Sequence, residues 1–332
     1  MSDQLPPDLS GLDRDAWLTA LDRLADDRGY FEPLGPQHSA IFCDDGPVLL
    51  VSFETVGSAR ERPLGLPLGM ASALARGWSS LTILADGPTW YRDRRLYGYF
   101  DRLVDDSFFE DFDRVIFIGS GMGAYGACAY SVAAPGATVL AFQPRATLDT
   151  RHAGWEPRDT DRRRLDFNDR YGYAPDMIEA AERAFLFYDP AETFDAVHVA
   201  FFQCENCTPV RLRFSKTEPL AMAVGMGLLP HLLDLAGSEP GLRPRDVFTA
   251  LRRRHRHHPY TRALVSELAA KGQVFRVAKA TRHLVERMSR GRYAGDYDWS
   301  SEQLEELGLR LPPPLPRAKP AQSAASEALA EA

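Results

Sequence analysis

The residues most suggestive of chemistry lie in one glycine-rich segment. Four apolar residues, 115–118, precede Gly119-Ser120-Gly121-Met122-Gly123-Ala124, and an alanine-rich run follows that reaches Pro135. This pattern predicts a buried strand, a tight turn and a closely packed helix. Two types of site use such a turn. One is a nucleophile elbow, Gly-x-Ser-x-Gly, which lifts a serine above the sheet. The other is a dinucleotide fingerprint, Gly-x-Gly-x-x-Gly/Ala, where a pyrophosphate approaches a helix N-terminus.

The segment matches each type of site in part. In the elbow pattern Gly121, which has no side chain, takes the nucleophile position. The fingerprint is satisfied by Gly119, Gly121 and Ala124, but it also needs an acidic residue at the end of the next strand. That position holds Gln143, and Arg145 follows shortly after. The motif also comes after several predicted strands instead of the first, so the elbow is favoured over the fingerprint.

Carboxylates follow several of the predicted strands. Asp86, Asp149 and Asp189 are expected near the carboxyl ends of strands, where open α/β sheets bind ligands. Asp before Gly or Pro also suits an ordinary turn. The aromatic residues Trp90, Tyr91 and Tyr125 are expected either to wall the cleft or to lie in the core. The residues predicted to bind a ligand are Gly119, Ser120, Gly121, Met122, Phe53, Glu54 and Asp189.

The remaining reactive side chains predict no metal site. Cys204-Glu205-Asn206-Cys207 has redox or zinc spacing, but a second ligand pair is missing, so two incidental thiols are favoured. The basic run 252–258 ends just before Pro259, which is typical of a solvated helix end. The histidines outside this run stand apart in the sequence. His198 is the one to test as a substitute base, although a structural role is favoured.

The composition is that of an ordinary globular protein. The chain has 332 residues, 45% hydrophobic and 26% charged, with a net charge of −7. The negative charge argues against nucleic acid as a partner, and no apolar run approaches the length of a membrane span. The N-terminus lacks the basic and apolar regions of a secretory signal, and four cysteines do not make a disulfide framework. We therefore expect a cytoplasmic protein with no nucleic-acid or membrane partner.

The order of apolar runs predicts strands that alternate with helices. An amphipathic helix over 12–27 precedes two strands, 39–43 and 48–53, which Asp44-Asp45-Gly46 is expected to join as a hairpin. Further strands are predicted, each followed by a helix or loop, over 81–86, 115–118, 138–142, 185–188 and 210–214. Helices are predicted over 70–76, 97–110, 122–134, 175–184 and 194–201. Val104 is expected to face inward. This alternation predicts an α/β fold, a three-layer and mainly parallel sheet.

Four regions are expected along the chain. Residues 1–37 form an N-terminal helix and linker, and residues 38–235 form the α/β domain, with a charged insert over 145–184. Residues 236–290 form a helical C-terminal extension, since strand patterns stop near residue 220. Residues 308–332, rich in proline and alanine, are expected to be a disordered tail.

The order of these elements resembles the α/β-hydrolase fold over roughly residues 38–235. The segment Gly119-Ser120-Gly121-Met122-Gly123-Ala124-Tyr125-Gly126-Ala127 is similar to the hydrolase elbow Gly-x-Ser-Met-Gly-Gly-Tyr-Gly-Ala, with Gly121 at the nucleophile position. The resemblance implies that Asp189, after the strand that follows the insert, is the remnant acid of a triad. It also implies a His just after the last strand, where the chain reads Phe214-Ser215-Lys216-Thr217. One triad member of three is therefore present.

The chain also resembles a set of little-characterised bacterial proteins. They share segments such as 99–106, Tyr-Phe-Asp-Arg-Leu-Val-Asp-Asp, and 170–177, Arg-Tyr-Gly-Tyr-Ala-Pro-Asp-Met. The likeness covers most of residues 40–215. Some of these proteins carry the label phosphoadenosine phosphosulfate reductase. The Ser-Gly-Gly-x-Asp phosphate loop and the Glu-Cys-Gly-x-His segment of that enzyme family do not occur in this sequence.

Three functions follow as expectations. The first is a non-hydrolytic α/β-hydrolase-like protein that binds a small acidic or acyl ligand, or a protein partner, at the cleft around Gly121. It predicts no cofactor and no catalytic residue other than the remnant acid Asp189. The second is a nucleotide-dependent reductase or transferase, using NADPH or an adenosine phosphosulfate, with residues 119–124 as a phosphate cradle. The third is an interaction protein that acts through its C-terminal helices.

Overall fold

One mixed sheet is built from the strands between Gly29 and Arg211. The computed structural model of the protein describes residues 7–287 and 290–311. Within these ranges the sheet has the spatial order β1-β2-β4-β3-β5-β6-β7-β8. Strands β1 and β2 run antiparallel to their neighbours, and the strands from β4 to β8 are parallel. The strands are β1 (Gly29–Pro33), β2 (His38–Cys43), β3 (Val48–Thr55), β4 (Ser79–Ala85), β5 (Arg114–Ser120), β6 (Thr138–Phe142), β7 (Arg183–Tyr188) and β8 (Cys207–Arg211).

Helices connect the strands and cover the sheet. Those that precede or connect the strands are α1 (Arg14–Asp26), α2 (Val56–Arg60), α3 (Leu68–Leu74), α4 (Arg94–Asp105), α5 (Met122–Tyr130), α6 (Thr150–Ala153), α7 (Ala174–Met177) and α8 (Thr193–Ala200). Those that follow the last strand are α9 (Pro219–Gly225), α10 (Leu228–Ala236), α11 (Pro244–Ala250), α12 (His258–Ala270), α13 (Val274–Arg287) and α14 (Arg290–Glu306).

The central strands are apolar on both sides because helices pack on both faces of the sheet. On one face Phe53 and Phe117 join a buried cluster with helices α4 and α5. On the other face Ile116 and Ile118 join a second cluster with α10 and α11. This is a three-layer, mainly parallel α/β sheet, and it confirms the predicted fold class.

Helix α1 illustrates how local sequence sets an element. Asp13 caps its start by accepting the N–H of Ala16 at 2.9 Å, as expected for an acidic N-cap. Trp17 and Leu21, one turn apart, are fully buried against β2 and β4 residues such as Ile41 and Leu84. The amphipathic pattern over 12–27 therefore predicted this helix to within two residues at each end.

The described chain forms two compact units that divide between Tyr260 and Thr261, within helix α12. In the second unit Val265, Val277, Leu284 and Tyr293 make a small separate core. Helix α14 lies where the sequence analysis assigned no element. The predicted tail over 308–332 falls, from residue 312 onward, outside the described residues.

The bounds of the first unit differ from the predicted ones at both ends. Strand β1 lies inside the segment 1–37 that was assigned to a helix and linker. Its sequence, Gly-Tyr-Phe-Glu-Pro, is too short and too mixed to show a strand pattern, and it is held by pairing with β2. The unit also continues past residue 235 through α11, because Val247 and Leu251 pack into the sheet's second buried cluster.

The predicted hairpin between β2 and β3 is wrong. Strand β2 pairs with β1 and β4, and β3 pairs with β4 and β5. Strand β4 lies between the two strands that Asp44-Asp45-Gly46 connects, so this loop crosses over a neighbouring strand. The true hairpin joins β1 to β2. A turn motif depends only on residues near it in the sequence. It cannot indicate that β4, which comes later in the chain, pairs between the two strands that the loop connects.

Smaller differences concern element ends. Val104, predicted to face inward, is 45% exposed near the end of α4. The helix predicted over 175–184 stops at Met177, continues briefly as a 3₁₀ turn to Ala180, and gives way to β7 at Arg183. Strand β8 covers Cys207–Arg211 instead of 210–214, since Leu212 begins the loop that contacts Asp189.

No single helix within the described ranges is long and apolar enough to cross a membrane. Helices α9 and α10 reach the required length and composition only together, and the chain bends by 90° between them.

Candidate functional site

The chain turns sharply at Gly121, between the end of β5 and the start of α5. This residue has φ 57° and ψ −117°, a backbone conformation that residues with side chains adopt at a cost. Its N–H donates to the carbonyl of Phe142 at 2.8 Å, and its carbonyl accepts the N–H of Tyr125 at 3.2 Å. These bonds fix the turn at the carboxyl edge of the sheet, with Gly121 and Met122 half-buried.

The three glycines of the motif have different reasons to be glycine. A Cβ on Gly119 would lie 2.1 Å from the carbonyl oxygen of Gly123, and a Cβ on Gly123 would lie 2.2 Å from that of Phe53. Both residues therefore let α5 pack directly on β5 and β3. A Cβ on Gly121 would meet one atom, Oε1 of Gln143, at 3.8 Å. Space is available above Gly121, and only its backbone conformation favours glycine there.

Ser120 lies before the apex of the turn. It is still part of β5, where it pairs with Phe142 of β6. Alternation along a strand directs consecutive side chains to opposite faces, so Ser120 is not placed as a residue at the apex would be. The predicted residues Gly119, Ser120, Gly121 and Met122 thus lie together at the turn, with Ser120, Gly121 and Met122 half-buried.

Asp189 follows β7 and holds two loops. It is 2% exposed, and each carboxylate oxygen accepts a backbone N–H: Oδ1 from Ala191 at 3.0 Å and Oδ2 from Lys216 at 2.9 Å. Lys216 stands in the loop after β8 with φ 51° and an exposed side chain. The carboxylate therefore fastens the loop in which the hydrolase resemblance implies a histidine, and this loop carries a lysine instead.

Phe53 and Glu54 at the end of β3 are used by the fold. The ring of Phe53 is 1% exposed and packs edge-on against Tyr91 with 5.0 Å between ring centroids. The carboxylate of Glu54 accepts the N–H groups of Leu68 at 2.8 Å and Gly69 at 2.9 Å. Arg62 lies 3.4 Å from the same carboxylate. Glu54 thus caps the start of α3, where a negative charge is favourable. The ring of Phe53 packs against α5 at Gly126.

Aromatic residues close one side of the turn. Trp90 donates its backbone N–H to Sδ of Met122 at 3.0 Å, and the guanidinium of Arg145 lies 5.1 Å from the centre of its ring. Trp90 and Tyr91 both have positive φ values, 55° and 54°, so this loop is strained. Tyr91 and Tyr125 are fully buried. Of the two predicted alternatives, Tyr91 and Tyr125 belong to the core and Trp90 covers Met122.

A buried network of polar side chains lies beside the turn. No motif or residue spacing in the sequence predicted it. Nε2 of Gln143 donates to Oδ2 of Asp195 at 2.8 Å, and Nη1 of Arg158 donates to Oδ1 of Asp195 at 2.6 Å. Arg158 also donates to Glu156 at 2.7 Å, and Glu156 accepts from His198 at 3.0 Å. Asp195, Glu156 and His198 are fully buried. Gln143 and Asp195 are 52 residues apart, so only the fold brings them together.

Both ring nitrogens of His198 form hydrogen bonds within this network. Nδ1 accepts the N–H of Ala146 at 3.3 Å, so Nε2 carries the proton that is donated to Glu156. Burial lowers the pKa of His198 to about 4, although the neighbouring Glu156 opposes this shift. Burial alone would raise the pKa of Glu156, but hydrogen bonds from Arg158 lower it to about 2. His198 is a neutral structural residue with both ring nitrogens occupied, as the sequence analysis favoured.

The other candidate residues have structural contacts. Asp86 pairs with Arg14 at 2.7 Å, and Asp149 caps α6 by accepting the N–H of Arg151 at 2.9 Å. Cys204 and Cys207 are free thiols. Over the described ranges, no cluster of three or more His, Cys, Asp or Glu side chains is arranged to hold a metal ion.

Several solved structures resemble part of this chain at low sequence identity. The capsule O-acetyltransferase of Neisseria meningitidis serogroup A is 12% identical over 58% of this chain and 90% of its own, with a TM-score of 0.40. Est1E from Butyrivibrio proteoclasticus, solved with ferulic acid, is 13% identical over 62% and 98%, with a TM-score of 0.41. A putative thioesterase from Silicibacter is 13% identical over 61% and 84%, with a TM-score of 0.40.

No protein-family model matches the sequence. No curated protein matches it either. The mainly parallel eight-stranded sheet, with helices on both faces, shows an α/β fold.

Proposed function

We propose that the protein is a non-hydrolytic member of the α/β-hydrolase fold that binds a ligand at the turn around Gly121. The ligand is a small acidic or acyl compound, or a protein partner that presents such a group. One observation carries the proposal: Gly121 occupies the apex of a strand–turn–helix with φ 57° and ψ −117°, where the fold's hydrolytic members place a serine. A glycine has no atom with which to attack an ester.

The hydrogen bonds that already occupy Asp189 and His198 support the same conclusion. A serine attacks only when a histidine can take its proton and an acid holds that histidine. Asp189 is the remnant acid of this proposal, but its two oxygens accept the backbone N–H groups of Ala191 and Lys216. His198, the substitute base considered from the sequence, uses both of its ring nitrogens in the buried network.

In this proposal the turn binds its ligand through backbone N–H groups at the start of α5. The first N–H groups of a helix have no intrahelical acceptor, and α5 starts directly after Gly121. In this proposal the N–H of Met122 faces the ligand, together with the backbone of residues 119–121. Phe53 and Glu54 act indirectly, since Phe53 packs beneath α5 and Glu54 caps α3. Asp189 shapes the neighbouring loops.

The nucleotide-dependent alternative receives less support from the geometry. A phosphate cradle uses glycines to bring backbone close to the phosphates. Here the missing side chains of Gly119 and Gly123 face the protein's own carbonyl oxygens at 2.1 and 2.2 Å, so these glycines serve packing. The motif follows β5, an interior strand, instead of the first. The interaction-protein alternative rests on the basic run 252–258, and a cytoplasmic location likewise stays a prediction.

Ester turnover tests the proposal. The full chain is incubated with p-nitrophenyl acetate and p-nitrophenyl butyrate, beside a Ser120→Ala variant. We expect wild type and variant to release p-nitrophenol at the rate of buffer with an equal amount of unrelated protein. Turnover that Ser120→Ala abolishes would overturn the proposal. Thermal-shift measurements with NADPH, NADH and adenosine phosphosulfate test the alternative, and a saturable rise in melting temperature with any of them would favour it.

A further inference from the structure

We infer that the group bound directly above Gly121 is a hydroxyl, as in an alcohol, a polyol or a hydroxy acid. The inference rests on the proposed function and narrows its ligand class. It concerns the single position that a nucleophile side chain would occupy, so an acyl or acidic part of the ligand elsewhere in the cleft is compatible with it.

The first step is the space above Gly121. A Cβ placed there has one protein atom within 4 Å, Oε1 of Gln143 at 3.8 Å. The neighbouring glycines would both clash with backbone at close to 2 Å. The backbone at residue 121 is half-buried, so this space is open to solvent on one side. It has room for a small group supplied from outside.

The second step is the orientation of Gln143. Its side chain is nine-tenths buried, and Nε2 donates to Asp195 at 2.8 Å. A carboxylate accepts hydrogen bonds and cannot donate them, so the amide nitrogen must face Asp195 and Oε1 must face Gly121. Arg158 holds Asp195 in turn at 2.6 Å. Among the described residues Oε1 of Gln143 makes no hydrogen bond. The network thus presents a fixed acceptor to the space above Gly121.

The third step is a donor next to Gly121 in the chain. Met122 is the first residue of α5, and helix geometry leaves its N–H without an intrahelical acceptor. The N–H of Gly121 is already used by Phe142. A group that bonds to both Met122 N–H and Oε1 of Gln143 must therefore accept one hydrogen bond and donate another. A hydroxyl does both, whereas a carboxylate would place a charged acceptor against Oε1 of Gln143.

Two matched variants test the inference within the chain itself. Gly121→Ser and Gly121→Ala share the same backbone strain, but only serine brings a hydroxyl. If the position accepts a hydroxyl, the serine variant melts about 2–4 °C above the alanine variant, as expected for one added hydrogen bond in a protein of this size. Equal melting temperatures, or a higher one for the alanine variant, would overturn the inference.

Direct binding is measured on the full chain labelled with ¹³C-methyl methionine, with Met122→Leu used to assign the Met122 methyl signal. Ethylene glycol supplies hydroxyls, 1,2-dimethoxyethane is the analogue without donors, and acetate is the anion. We expect a saturable shift of the Met122 methyl with ethylene glycol alone. The apparent Kd should rise about 3–10-fold in Gln143→Leu, which lacks the acceptor. Saturation should disappear in Gly121→Ser, whose own hydroxyl fills the position.

The possible failures are distinguishable. Saturation by acetate, without saturation by ethylene glycol, overturns the hydroxyl inference and leaves binding at Gly121 intact. Equal shifts with ethylene glycol and 1,2-dimethoxyethane, or no saturable shift with any probe, also overturn the inference. The proposed lack of hydrolysis fails separately, through the ester-turnover measurement above.

Discussion

Asp189 and Lys216 are joined by a hydrogen bond in which the backbone N–H of Lys216 donates to Oδ2 of the carboxylate at 2.9 Å. The acid that follows β7 therefore still contacts the loop after β8, but it contacts the backbone of a lysine. In a hydrolytic triad the corresponding acid orients a histidine. Here the two carboxylate oxygens accept the backbone N–H groups of Ala191 and Lys216, so Asp189 stabilises the loops after β7 and β8.

Removing the carboxylate of Asp189 should cost stability. Asp189→Ala leaves the partly buried N–H groups of Ala191 and Lys216 without their carboxylate acceptor, at about 0.5–1.5 kcal/mol for each. Asp189→Asn keeps one acceptor oxygen and should lose about half as much. Urea unfolding of the three proteins measures both differences. An alanine variant as stable as wild type would show that these bonds contribute nothing.

The glycines of the motif should differ in their tolerance of alanine. Gly123→Ala places a Cβ 2.2 Å from the carbonyl oxygen of Phe53, so we expect a loss of at least about 3 kcal/mol or failure to fold. Gly98→Ala is the control, because Gly98 is exposed within α4 and has no atom within 4 Å of its added Cβ. That change should stabilise the protein by about 0.5–1 kcal/mol. Similar unfolding curves for both variants would contradict this account of α5 packing.

Acid should weaken the fold through His198. Its folded pKa of about 4 lies below its ordinary value of 6.5, so the unfolded chain binds a proton first as the pH falls. The free energy of unfolding should therefore fall from pH 6.5 toward pH 4, by about 3 kcal/mol from this residue. The low pKa of Glu156 adds a further loss as the pH falls from about 4.5 toward 2.

His198→Asn is the matched variant for this prediction, since asparagine keeps a polar side chain but does not titrate. Urea unfolding across pH 4 to 7 should give a shallower slope for the variant than for wild type. Parallel slopes would mean that His198 does not control the acid sensitivity.

Arg92 should hold the charged insert in place. Its guanidinium is buried and donates to the carbonyls of Asp166 at 2.8 Å, Arg170 at 2.9 Å and Tyr171 at 2.7 Å. Arg92→Lys keeps the charge but cannot reach all three carbonyls. We expect faster hydrogen exchange across residues 166–172, with β5 and β6 protected as before. Arg94→Lys, at the exposed start of α4, is the control and should change neither region.

The sequence predicted the layers of the fold well because long apolar runs and amphipathic helices carry strong periodic signals. The strand 115–118 and the turn after it were found at the correct place, as β5 and Gly121. Strand order was harder. The loop at Asp44-Asp45-Gly46 looked like a hairpin, yet β4 pairs between its flanking strands. Such an insertion depends on residues distant in the chain and leaves no mark on the turn itself.

Only those residues of the candidate site that directly follow a strand in the sequence could be predicted. Gly121 and Asp189 could be found because each directly follows a recognisable strand. The network of Gln143, Asp195 and Arg158 could not, since these residues lie far apart in the sequence and meet only in the folded protein. Glu54 was predicted as a ligand-binding residue directly after the strand 48–53, and its role as the cap of α3 depends on the position of Leu68 and Gly69.

The most direct test of the central claim is covalent labelling of the full chain by a fluorophosphonate, read by intact-protein mass. Reagents of this class modify serines that a neighbouring base activates. The account predicts an unchanged mass for wild type after prolonged exposure, because residue 121 is a glycine and His198 is engaged. Stoichiometric addition of one label to a serine of the folded protein would contradict it.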